Sequence, residues 1–78
     1  MAFRELEDRE EYARVLAFAA TLEGRLKDVF LLMILEALDE NGEMNGITLG
    51  RKWNASKHAI SRDRQKLKEM LRRWMRED

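Results

Sequence analysis

The chain of 78 residues has no cysteine, no proline and a single histidine. Without cysteine it has no disulfide to brace a small fold, and a reducing, cytoplasmic setting fits. One histidine and no thiolate are too few for a metal site, so no metal and no cofactor is expected. Without proline nothing interrupts a helix, and the abundance of Leu, Glu, Arg, Lys and Ala favours one. Long apolar runs are missing too. The longest, Val29 to Leu35, has seven residues, far short of the roughly 20 that span a bilayer. The opening MAFRELEDREE is acidic and lacks the apolar stretch of a signal peptide. No membrane partner is expected, and no internal repeat or low-complexity segment is visible.

Enzyme chemistry lacks its parts. Glu10-Glu11 and Asp39-Glu40 are adjacent positions on helix surfaces. There is no glycine-rich phosphate loop, and His58 and Ser61 have no third group to orient the imidazole. No small-molecule pocket is implied.

What is present is a charge split. Formal net charge is zero. Residues 1–46 hold five Arg/Lys against eleven Asp/Glu, a balance of −6, and residues 47–78 hold ten against four, a balance of +6. Such asymmetry sets one half toward a polyanion, or the two halves toward each other.

A chain this short is one domain, residues 1–78, that buries only about 60% of its unfolded surface. It therefore needs an efficient helical core or an oligomer. Four helices are expected, an all-α fold. The first covers Arg4 to Ala20, with apolar rows Tyr12, Val15, Phe18, Leu22 and Leu6, Ala13, Leu16, Ala17, Ala20. The acids Glu5, Glu7, Asp8, Glu10 and Glu11 suit its N-terminus. Thr21 is the expected N-cap of the second helix, although Gly24 leaves one bent helix open. From Val29 to Leu35 that helix is apolar on every face, so it must be covered all round, by the core, by a dimer partner or by both. Phe30, Leu31, Leu35 and Trp74 are the expected dimer contacts. Asn41-Gly42 is expected to end the helix, because glycine accepts the left-handed cap conformation.

The remainder, residues 45–78, carries the functional reading; residues 1–44 form the core and dimerisation part. Asn45 caps a short helix, Gly46 to Trp53, that turns Leu49 and Trp53 inward at i, i+4. Gly50 between them marks a close approach. Asn54-Ala55 is a turn, and Ser56 caps a last helix reaching Trp74 or Met75. Its apolar stripe is Ile60, Leu67, Leu71 and Trp74. Asp63 and Arg64 cross that stripe, at the core edge or internally paired. From Arg51 to Arg73 there are nine Arg/Lys against Asp63 and Glu69. A short helix, a tight turn and a capped basic helix form a helix-turn-helix, whose second helix enters the DNA major groove. On the face opposite the stripe, Lys57, His58, Ser61, Arg62 and Gln65 are the candidate base contacts. Arg51, Lys52, Ser56, Lys68 and Arg72 are the candidate phosphate contacts.

The segment ILEALDENGEMNGITLGRKWNASKHAISRDRQKLKEM resembles the helix-turn-helix of bacterial winged-helix regulators of the deoR, arginine-repressor and biotin-repressor-like types. Leu49 and Trp53 take the apolar positions of their short helix. Asn54, Ala55 and Ser56 stand for the turn, and Ile60-Ser61-Arg62-Asp63 with Leu67 match their "I-S-R-D-I-x-x-L". The chain departs from them in having Asn54 where glycine is usual. It departs again after Leu71, where RRWMRED stands in place of a two-stranded wing. That makes it similar also to wingless helical units, region 4 of sigma factors and the LuxR-type domain, and to small phage or plasmid regulators. The resemblance implies a homodimeric, sequence-specific transcription regulator of double-stranded DNA. The alternative is a protein-binding adaptor of the same shape, docking on RNA polymerase or another regulator.

Overall fold

The computed structural model describes residues 9–76, which form four helices and, among the described residues, no strand: α1 (Arg9–Ala20), α2 (Gly24–Ala37), α3 (Gly46–Trp53) and α4 (Lys57–Arg76). The expected start of the first helix at Arg4, with Leu6, Glu5, Glu7 and Asp8, lies outside the described residues.

The junctions follow from local hydrogen bonding. Thr21 does not cap α2. Its hydroxyl donates to the Phe18 carbonyl at 2.7 Å and so closes the end of α1. The residue before α2 is Glu23, in extended backbone and without a side-chain cap bond. Gly24 then takes φ +62°, a conformation costly to any residue with a Cβ. That glycine separates two helices and excludes one bent helix.

The end of α2 also differs from expectation. It stops at Ala37, and Asp39 supplies the left-handed residue at φ 56°. The Glu40 N–H donates to Leu35 O at 2.9 Å and the Asp39 N–H to Glu36 O at 3.1 Å. This is the Schellman pattern, which satisfies the last carbonyls of a helix. Aspartate tolerates the conformation through its short polar side chain. Asn41-Gly42 makes a separate turn, with the Met44 N–H on Asn41 O at 2.8 Å and Gly42 at φ 54°.

Phe18 of α1 and Phe30 of α2 meet edge to face at 5.0 Å, and Trp74 of α4 lies 5.7 Å from Phe18. Around them pack Val15, Val29, Leu32, Leu49, Leu67 and Leu71. α4 packs against each of the other three helices, while α1 and α3 do not meet. Reciprocal bonds fasten α1 to the end of α4. Arg14 donates to the carbonyls of Trp74 and Met75, each at 3.0 Å, and the Trp74 indole N–H donates to Arg14 O at 3.0 Å.

The apolar run of α2 is covered on most sides: Val29, Phe30, Leu32, Met33 and Ile34 are buried. Phe30 is fully buried at 0% exposure, so it is a core residue and not a dimer contact that a second chain can reach. Leu31 is exposed and Leu35 half-buried, which leaves one strip of α2 open. α1 has a second open face. Its row Ala13, Leu16, Ala17, Ala20 is exposed, together with Tyr12 from the other row. No helix among the described residues is long and apolar enough to cross a membrane.

Candidate nucleic-acid interface

The unit from Asn45 to α4 is built from its caps outward. The Asn45 carbonyl Oδ1 accepts the Thr48 N–H at 2.9 Å, satisfying a donor that the first turn of α3 leaves open. α3 ends on Asn54 at φ 49°, ψ 46°. The Ala55 N–H returns to Gly50 O at 2.8 Å. A Cβ on Gly50 would stand 2.9 Å from the Ala55 carbonyl oxygen. The close approach expected at Gly50 is therefore real, but the obstructing atom belongs to the turn and not to the neighbouring helix. Ser56 Oγ accepts the Ala59 N–H at 3.1 Å and starts α4.

With these pieces set, α4 divides into two faces. Ile60, Leu67 and Leu71 are buried. Lys57, His58, Ser61, Arg62, Gln65 and Lys68 are all exposed on the other side, as the helical spacing predicts. The two charges in the stripe are internally paired. Asp63, 8% exposed, accepts Arg25 Nε at 2.6 Å and Nη2 at 3.3 Å. Those bonds hold the Arg25 guanidinium still further above its ordinary pKa. Arg64 donates to both carboxylate oxygens of Glu36, at 2.7 and 3.2 Å. These forks join α2 to the middle of α4 and fix its rotation.

Trp53 is not in the core. Leu49 is buried, but Trp53 is 38% exposed and its indole N–H donates to Asp28 Oδ2 at 2.9 Å. Lys52 donates to the same oxygen at 2.6 Å. First the Lys52 bond and then the Trp53 bond hold the Asp28 carboxyl below its usual range. The spacing from Leu49 placed Trp53 inward, but a short helix has room for one buried position, and the indole N–H needs an acceptor.

The expected phosphate contacts therefore stand differently. Arg51 and Lys68 are exposed and, like Lys57, Arg62 and Lys66, have no ion pair among the described residues. Lys52 is committed to Asp28 on the α2 side. Arg72 lies 3.1 Å from Glu69, both exposed, a pair worth little. The Ser56 oxygen is occupied by its cap bond.

Two features were not read from the sequence. One is the partner of Asp63, the only acid from Asn45 to Lys68: Arg25 of α2 pairs with it, and its burial leaves no carboxylate on the outer face of that stretch. The other is Ile47, 71% exposed beside a groove between α3 and α4. Its position two residues before inward-facing Leu49 already put it on the outer face.

Compared with protein families, curated proteins and solved structures, the chain has no significant match in any of the three.

Proposed function

We propose that this protein is a sequence-specific DNA-binding transcription regulator that works in the cytoplasm as a homodimer. The N-terminal half of α4 enters the major groove. Lys57, His58, Ser61, Arg62 and Gln65 address base edges. Arg51 and Lys68 hold phosphates, joined by Arg72 once it leaves Glu69. The observation that carries this reading is the outer face of Asn45–Lys68, which presents unpaired cations and no exposed carboxylate. A polyanion meets attraction there and no like-charge penalty.

A single module of this size binds DNA weakly, and a two-fold pair doubles the contacts. The exposed apolar face of α1 supports pairing. α1 packs on the side of α4 opposite the reading face, so joining two copies through α1 leaves both reading faces open. Half-sites then stand about 34 Å apart, one helical turn.

Titration with mixed-sequence duplex DNA at two salt concentrations tests the reading. Binding weakens steeply with salt, with a logarithmic slope of about −0.9 per phosphate neutralised. Lys68→Ala lowers that slope by about one contact. Arg62→Ala weakens binding to a selected site and relaxes one base preference. An absence of binding even at low salt would reject the proposal.

A further inference from the structure

The groove between α3 and α4 encloses about 850 Å³, a size that accommodates side chains of a bound molecule. On that side α3 presents Gly46 and Gly50, one turn apart, beside Ile47 and Arg51. A Cβ on Gly46 would meet Ile60 Cγ2 at 3.9 Å, ordinary van der Waals contact, and one on Gly50 would meet the Ala55 carbonyl oxygen at 2.9 Å, so α4 and the turn close in on the glycines and the open part of the groove lies beside them. Ala55 and Ile60 complete an apolar floor. Ile47 stands at the rim with 71% of its surface in water. Arg51 and Lys57 flank it, and neither has an ion pair among the described residues.

DNA accounts for Arg51 at a phosphate and for Lys57 at a base edge. It does not account for the floor or for Ile47, because a phosphate gains nothing against apolar surface. A ligand that satisfies both parts carries negative charge and a large apolar side chain together. We propose that the groove binds an acidic protein segment with an apolar anchor, and that this occupant excludes DNA. The exclusion rests on the DNA-binding reading above, since Lys57 and Ser61 line the groove and also belong to the reading face. The anchor lies beside Ile47 against Ala55 and Ile60, while flanking Asp and Glu meet Arg51 and Lys57.

The test is selection of random 12-residue displayed peptides on the full-length chain, followed by binding of the synthetic winners. The expected winners are rich in Asp and Glu around Leu, Phe or Trp. Ile47→Ser and Arg51→Ala, both at exposed positions that leave the fold intact, each weaken them about tenfold. A 20-base-pair duplex competes with them. Arg62→Ala, outside the groove, weakens duplex binding and leaves peptide binding unchanged. Winners without acidic bias, or winners indifferent to both groove variants, overturn the inference while leaving DNA binding untouched. Peptide and duplex bound at the same time overturn it as well. A chain that binds no duplex overturns the DNA reading and with it the exclusion, while acidic winners weakened by both groove variants still support the groove as the peptide site.

Discussion

At the scale of single residues, the exposed face of α4 is set by residues that do not belong to it. Gly50 is the clearest. Helix propensity alone says that alanine is better there by about 1 kcal/mol. The Ala55 carbonyl oxygen 2.9 Å from the added Cβ reverses the sign. Gly50→Ala is expected to destabilise the chain by about 1–3 kcal/mol, read by urea denaturation followed by circular dichroism. Asp28 is the second. Its carboxyl pKa is lowered in the folded chain by bonds from Lys52 and Trp53. A lowered folded pKa gives stability that is present above the ordinary carboxylate value and is lost as pH falls through the lowered one. Acidification below about pH 4 is therefore expected to release Trp53 and shift its fluorescence, and Asp28→Asn abolishes that component of the titration. Asp28 sits 25 residues from Trp53 in the chain, so no local pattern could pair them. The inward spacing of Trp53 from Leu49 was legible, and misleading, because spacing carries no information about which polar atoms need partners.

At the scale of elements, legibility follows the caps. Asn45, Asn54 and Ser56 act on backbone groups within three residues, and each does in the structure what its side chain suggests. Ser56→Ala is expected to cost about 1 kcal/mol, with amide exchange accelerating in the first turn of α4 and not in α2. The junctions that were misjudged, Thr21 and Asn41-Gly42, each offered two residues able to do one task. Asp39 took the left-handed position that Gly42 was expected to fill, because the helix reached it first. The rotation of α4 was half legible. Its stripe from Ile60 to Trp74 reads from the sequence, but the Arg25 and Glu36 partners that hold Asp63 and Arg64 come from another helix.

At the scale of the whole molecule, the two open apolar surfaces and the split of charge belong together. The acidic half supplies α1 and α2 and the basic half the exposed cationic face of α4, so a copy of the chain meets another without net repulsion. Leu16→Glu places a charge on the exposed face of α1, where Leu16 is 44% exposed, without entering the core. The expected outcome is a folded chain that sediments as a monomer where the parent sediments as a dimer, with duplex affinity falling in step. A parent that is monomeric at high concentration would reject pairing.

The clasp between Arg14 and the last turn of α4 has a consequence for how the chain is made. Its partners stand 60 and 61 residues apart. A ribosome adding about 5–20 residues per second exposes α1 for several seconds before Trp74 exists to meet Phe18. Through that interval Phe18 has Phe30 of α2 beside it but not Trp74, and the nascent chain presents to chaperones and proteases a helix that the finished protein half conceals.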